Sequence, residues 1–234
     1  MKSIIEFKNV SKVYETGENK LFAVKKASFT IDEGEFVIIL GPSGAGKSTI
    51  LNLLGGMDFA SSGEIIVNGK NITNYSDNQL TDYRAENVGF VFQFYNLIPS
   101  LTAYENVNIT KDIVKTALDA KEVLSLVGLG GHADKFPSQL SGGEQQRVSI
   151  ARAVAKNPTM LLCDEPTGAL DSETGIVVLD LLQKMSHEHK KTVIIVTHNS
   201  ALAETADKVI RVKNGQIIDI KINKNPLKVS EVNY

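Results

Sequence analysis

Six short clusters of Val, Ile, Leu and Phe punctuate the chain, at 36–40, 65–67, 88–92, 159–163, 193–197 and 209–212, and each gives way to polar or glycine-rich residues. Most lack the alternation of a half-exposed strand, so they predict central strands covered on both faces. Helix-compatible stretches at 48–54, 144–155, 174–186 and 200–205 lie between several of them. This alternation of strand and helix predicts an α/β core on a mainly parallel sheet. Two regions depart from the rhythm. The first 35 residues and 60–73 hold short pieces such as Ile5-Glu6-Phe7-Lys8 and Gly63-Glu64-Ile65-Ile66-Val67-Asn68-Gly69, which suit a small antiparallel sheet beside the core. Residues 97–155 carry no Val/Ile cluster and contain helix-compatible stretches at 103–107, 112–127 and 144–155, which predicts an inserted helical lobe. The expected organisation is one domain over 1–222, with core and β subdomain from 1–96 and 156–222 and the lobe from about 97 to 155. An irregular tail is expected at 223–234.

Composition narrows the function. With 25 Lys and Arg against 27 Asp and Glu, the formal net charge is −2, and no basic surplus exists to neutralise a run of nucleic-acid phosphates. The lone Cys163 excludes an internal disulfide and, within Met160-Leu161-Leu162-Cys163, reads as a small buried residue in a reducing compartment. The longest apolar run, Phe36-Val37-Ile38-Ile39-Leu40, is far short of the about 20 residues that cross a bilayer. Glu6 and Lys8 stand where a signal peptide needs its apolar stretch, so the chain is expected in the cytoplasm, any membrane role resting on a partner.

The strongest chemical signal follows the first core cluster. Gly41-Pro42-Ser43-Gly44-Ala45-Gly46-Lys47-Ser48-Thr49 fits G-x-x-x-x-G-K-[ST], with a strand before it and a helix after. The glycines let successive N–H groups face an anion, and the helix that opens near Lys47 adds the positive end of its dipole. Lys47 suits the β- and γ-phosphates, Ser48 suits Mg2+, and Thr49 suits a further phosphate. A dinucleotide-binding loop fits less well, because Lys47-Ser48-Thr49 stand where its third glycine or alanine belongs.

Three other strands run into useful polar groups: Gln93, the pair Asp164-Glu165, and His198. Ligands bind at the carboxyl ends of strands in an open parallel sheet, so these residues are predicted to converge on 41–49. Asp164 would then hold Mg2+ or its waters, and Glu165 would accept a proton from an attacking water. A second glycine cluster stands in Leu140-Ser141-Gly142-Gly143-Glu144-Gln145-Gln146-Arg147. Ser141 and Glu144 have the spacing of a capping box. Gly142 and Gly143 in a first turn cost about 1 kcal/mol each, which predicts close approach of another group, such as a phosphate, to that backbone.

Taken in order, 41–49, Gln93, 140–147, 160–165, Ala169-Leu170-Asp171 and His198 closely resemble the nucleotide-binding subunit of an ABC transporter over nearly the whole chain. The resemblance implies a P-loop NTPase core of the RecA-like kind, ATP hydrolysis, Mg2+ as cofactor, and two copies that sandwich two ATP molecules. It implies Tyr14 as the aromatic that stacks on adenine, with Phe22 as a second candidate, and Gly41, Ser43, Gly44, Ala45, Gly46, Lys47, Ser48 and Thr49 around the phosphates. Gln93 would contact Mg2+ and sense the membrane subunit, Glu165 would be the general base, and His198 the switch at the γ-phosphate. Asp171 would cross the dimer interface, while Ser141, Gly142 and Gly143 would meet the γ-phosphate of ATP held by the opposite copy.

Finer likeness in Asp82-Tyr83-Arg84, in 92–107 and in Pro166-Thr167-Gly168-Ala169-Leu170-Asp171 is to the lipoprotein-release, macrolide-exporter and antimicrobial-peptide-resistance group. That likeness implies a permease with few membrane spans and a large extracytoplasmic domain, driven from the cytoplasmic face. The stretch 106–128 is shorter than in many members, which implies a trimmed lobe. Other phosphate-loop classes fit less well. A GTPase needs Asn-Lys-x-Asp, which neither Asn19-Lys20-Leu21-Phe22 nor Asn223-Lys224-Asn225-Pro226 supplies. The alternative, a soluble ABC ATPase acting on nucleic acid or the ribosome, calls for long coiled-coil insertions or a second ATPase unit, and this sequence has neither.

Overall fold

Five of the six apolar clusters lie side by side as strands of one sheet, and the sixth, 65–67, belongs to a second. The computed structural model describes residues 3–17 and 19–232. Along them run β1 (Ser3–Thr16), β2 (Asn19–Asp32), β3 (Phe36–Leu40), α1 (Lys47–Leu54), β4 (Ser62–Val67), β5 (Lys70–Asn71), α2 (Asp77–Asn87), β6 (Val88–Val91), α3 (Ala103–Asn108), α4 (Ala120–Leu126), α5 (Gly142–Ala155), β7 (Met160–Asp164), α6 (Ser172–His187), β8 (Thr192–Thr197), β9 (Lys208–Lys213) and β10 (Gln216–Ile222). The larger sheet has the order β10-β9-β3-β8-β7-β6, parallel except for β10 at one edge. The smaller sheet, β2-β1-β4-β5, is antiparallel throughout.

The period of two in the central strands divides the interior. Phe36, Ile38 and Leu40 of β3 join Leu161, Cys163, Val193 and Ile195 in a core shared with the helices α3 to α6. Val37 and Ile39 join Met160, Leu162, Ile194 and Val196 in a second core, closed by α1 and by Ile5, Phe7, Phe29 and Ile31 of the smaller sheet. Each strand is therefore apolar on both faces, which is why its sequence reads as an unbroken run. Cys163 is fully buried, and burial pushes its thiol up. No helix among the described residues is long and apolar enough to cross a membrane.

The structure departs from the sequence reading in five places. The first 35 residues form two 14-residue strands rather than short pieces; register shifts along β1, together with Asn9 and Lys26 at φ 50° and 45°, interrupt the alternation that would have revealed their length. The helix α2 was not expected, because it buries only Leu80 and Tyr83 and so has no apolar stripe. Its start was nonetheless written in the capping box of Ser76 and Gln79. The stretch 112–127 is helical only over α4, because the Asp119 side chain accepts from the N–H groups of Lys121 and Glu122 and starts the helix there. Upstream, the Leu118 N–H donates to the Ala155 carbonyl at the end of α5 and holds that segment irregular. The stretch 200–205 is a 3-10 turn, Ser200–Glu204, capped by Asn199. Strand β10 follows a two-residue turn at Asn214 and Gly215, both at positive φ, which is the Asn-Gly hairpin signal.

Beyond β10 the chain has little regular structure but is anchored. The Asn223 amide donates to the carbonyls of Ala203 and Ala206, and the Leu227 N–H donates to Glu204. Gln183 of α6 donates to the carbonyls of Thr205 and Leu227 and accepts from the N–H of Val229, whose side chain is buried.

Candidate nucleotide-binding site

Strand β3 ends at Leu40, and the next six residues curl into a loop that α1 closes. Gly44 and Gly46 sit at φ 74° and 100°. Gly46 is also packed from outside: a Cβ there would fall on the Ala23 carbonyl oxygen, as one on Gly41 would on that of Val212. The loop is laced to its neighbours by backbone bonds, with the Gly215 N–H donating to Ala45 at 2.9 Å and the Lys25 N–H to Gly215 at 2.7 Å. No side chain caps α1, so its first-turn N–H groups are left for an anion. The Lys47 ammonium folds back and donates to the carbonyls of Gly41 (2.9 Å) and Pro42 (3.1 Å).

The carboxyl ends of β7 and β8 bring the acidic pair and the histidine to this loop. The Ser48 hydroxyl donates to Asp164 Oδ1 at 3.2 Å. Glu165 holds φ 45°, a left-handed conformation uncommon for a side chain of this size, fixed by its N–H donating to the Val196 carbonyl at 3.0 Å. Both its carboxylate oxygens are engaged: His198 Nδ1 lies 2.9 Å from Oε1, and the Thr197 hydroxyl donates to Oε2 at 3.0 Å. The Asp164 carboxyl is held above the usual carboxylate range, first by burial and then by the neighbouring Glu165 charge, against the pull of Ser48 and Lys47.

A cavity of about 840 Å³ opens over the loop, lined by residues 43–49 together with Tyr14, Gln93, Asp164, Glu165 and His198. The structure thus brings these predicted residues to one place, with Phe22 also at the wall. Gly41 is not among the lining residues. Ser141, Gly142, Gly143 and Asp171 are not in the cavity at all.

The capping box at the start of α5 is formed: the Glu144 N–H donates to the Ser141 hydroxyl and the Ser141 N–H to the Glu144 carboxylate at 2.7 Å. Gly142 and Gly143 are approached closely by groups of the same chain rather than by a phosphate. A Cβ on Gly143 would fall on the methyl carbon of Thr174, and one on Gly142 would come to 2.7 Å from the Tyr95 hydroxyl. Packing within the chain accounts for Gly143, whereas the neighbour of Gly142 is the far end of the Tyr95 side chain. Asp171 caps α6 through the Thr174 N–H at 2.9 Å and also accepts from the Thr174 hydroxyl at 2.8 Å, so one threonine ties Asp171 to Gly143.

Sequence reasoning missed several participants. Lys25, Phe94, Asn96, Asn214 and Gly215 line the cavity; of these, the Asn-Gly turn carried a readable signal. Gln146 is fully buried and donates to the carbonyls of Phe92 (3.1 Å) and Pro166 (2.8 Å), the residues flanking Gln93 and Glu165. Its Oε1 has no partner among the described residues.

A parallel sheet covered on both faces, a glycine loop entering a helix, and an acid–histidine pair at adjacent strand ends define a phosphate-loop NTPase. Residues 24–168 match the family described as ABC transporter, and the chain belongs to it as an ATP-binding subunit with ATPase activity. An uncharacterized ABC transporter ATP-binding protein of Thermotoga maritima is 44% identical over 226 residues, spanning 94% of this chain and 96% of that one. A macrolide export ATP-binding/permease protein of Mannheimia succiniciproducens is 43% identical over 222 residues, 93% of this chain but 34% of that longer protein. Among solved structures, an ATP-binding cassette of Methanocaldococcus jannaschii, a post-hydrolysis dimer bound to ADP and Pi, superposes with a TM-score of 0.85 at 41% identity, covering 94% of this chain and 99% of that one.

Two outcomes follow from this geometry. Gly143→Ala gains about 1 kcal/mol of helix propensity but meets the Thr174 methyl. It should lower stability in urea unfolding by about 1–3 kcal/mol, and adding Thr174→Ser, which removes that methyl, should restore most of the loss. A stabilised single variant would refute the packing account. For Asp164, a folded-state affinity for the proton above the unfolded one means that stability is lost as pH rises through the folded value. Asp164→Asn cannot ionise and should raise the melting midpoint of the nucleotide-free protein at neutral pH by about 2–4 °C, while ATP turnover falls on the order of 10–100-fold. An unchanged or lowered midpoint would contradict the assigned cost of burial.

Proposed function

We propose that the chain works in ATP-held pairs at the cytoplasmic face of a membrane and drives a membrane permease. The observation that carries this reading is the meeting in one cavity of the 41–49 loop, Gln93, Asp164, Glu165 and His198, with Ser141, Gly142, Gly143 and Asp171 outside it. A second copy, turned about a twofold axis, supplies the missing wall: its Ser141, Gly142 and Gly143 meet the γ-phosphate and its Asp171 lies at the interface. The dimeric, ADP-bound relative supports the arrangement.

ATP enters with its adenine on Tyr14, beside Phe22, and its phosphates in the 41–49 loop. Lys47 then exchanges the neutral carbonyls of Gly41 and Pro42 for charged phosphate oxygens, which gives stronger, charge-assisted bonds. His198 leaves Glu165 Oε1 for the γ-phosphate, freeing the carboxylate to orient and deprotonate the attacking water. The donor set fits Mg2+. Ser48 and Asp164 offer hard oxygens 3.2 Å apart, and the Gln93 amide lines the same cavity. When bound, Mg2+ would offset phosphate charge.

Residues 97–155 serve as the permease-facing lobe of a single ATPase domain at 1–222, with 223–234 as an appended tail. The branch is the mechanotransmission type, exporting or extracting peptides, lipoproteins or drugs through a permease with few spans and a large extracytoplasmic domain. Its support is the motif likeness together with the macrolide-export relative, whose name joins ATP-binding and permease functions.

Glu165→Gln should still bind ATP, lose turnover by on the order of 10²–10⁴-fold, and elute as a dimer in ATP on gel filtration; unchanged turnover would sink its assigned role. Affinity purification of the intact chain from mild detergent should retain a membrane subunit with few spans. Recovery of a many-span importer subunit, or of ribosomes, would defeat the branch or the transporter reading respectively.

A further inference from the structure

Tyr14 belongs to β1, and its ring is one wall of the nucleotide cavity. Two groups outside the phosphate loop immobilise it. The Tyr14 hydroxyl donates to Asp58 Oδ2 at 2.7 Å. The other oxygen of that carboxylate accepts from the Lys12 ammonium at 2.5 Å, and Lys12 donates as well to the Phe59 carbonyl at 2.9 Å. The same ammonium lies 4.8 Å from the centre of the Tyr14 ring, over its face. Lys12 and Asp58 are largely shielded, at 12% and 23% side-chain exposure, so this is not a solvated surface pair whose worth would be near zero.

We propose that Asp58 and Lys12 are positioning residues for nucleotide binding, a brace that fixes the tilt of the Tyr14 ring and covers one of its faces, leaving the opposite face for a purine. The proposal rests on the reading of Tyr14 as the residue that meets adenine. A phenol swinging about its side-chain torsions loses that freedom when a base stacks on it, and this ordering cost is subtracted from affinity. The brace removes the cost in advance by holding the ring at both its hydroxyl and its face. The cation over the ring adds an attraction that a methionine in place of Lys12 would lack. Burial and the Asp58 charge push the Tyr14 phenol up, which keeps it a proton donor to the carboxylate, while Thr49 pulls the other way. The Asp58 carboxyl, though raised by burial, is held below the usual range by the bonds from Lys12, Tyr14 and the Phe59 N–H.

The test uses the full chain with ADP and inorganic pyrophosphate as paired probes in titration calorimetry, since only ADP carries a base and neither is hydrolysed. Tyr14→Phe and Asp58→Ala should each weaken ADP by about three- to tenfold, the worth of one hydrogen bond, and leave pyrophosphate affinity unchanged. Equal losses for both probes would overturn the proposal, because the damage would then lie in the fold and not at the base. ADP binding as tight as native in Tyr14→Phe and Asp58→Ala, beside a clear loss in Tyr14→Ala, would reject the brace and keep the adenine assignment. Native ADP affinity in Tyr14→Ala would reject that assignment, and the brace with it.

Discussion

The burial of the larger sheet on both faces is the constraint from which the rest of the structure follows. Side chains of β3, β7 and β8 enter one core or the other at every position up to their ends, so no polar group can sit within them without being stranded. The carboxyl ends are where these strands release polar side chains, and Asp164, Glu165, Thr197 and His198 all lie there. The loop at 41–49 is under the same constraint from the other side. Gly41 and Gly46 are set by the carbonyl oxygens of Val212 and Ala23 as much as by any phosphate, so a strand and a hairpin of the surrounding sheets shape the cradle before a ligand arrives.

How much of this could be read in the residues depended on whether the signal was local. The central strands were legible because two-sided burial writes an uninterrupted apolar run, and the phosphate loop because its geometry demands specific residue types at fixed spacing. Strand ends bearing Gln93, Asp164, Glu165 and His198 were legible as candidates, and sheet order then brought them together. What escaped was set by partners distant in sequence or by interruptions. The length of β1 and β2 was hidden by register shifts, and the irregular path before α4 by a bond to Ala155. The reason for Gly143 is a methyl group on Thr174, 31 positions away, which no spacing rule reveals. Gln146 carried no signal beyond its place in a motif; its role as a tie between the backbones beside Gln93 and Glu165 exists only in three dimensions.

Lys47, Asp164 and Glu165 at the cavity are already satisfied by neighbouring side chains and by the backbone. Lys47 has two carbonyls, Glu165 has a hydroxyl and an imidazole, and Asp164 has Ser48. In the proposed cycle an arriving nucleotide would therefore exchange partners more than create them, and net binding would rest on how much better phosphate oxygens serve Lys47 and His198 than the present acceptors do.

The anchoring of the chain beyond β10 bears on the backbone that carries His198. The turn Ser200–Glu204 that follows His198 is tied down through Asn223 to Ala203 and Ala206 and through Leu227 to Glu204. A loop so fastened holds the His198 backbone in place, so in the proposed switch role the ring alone, turning about its own torsions, would have to trade Glu165 Oε1 for phosphate.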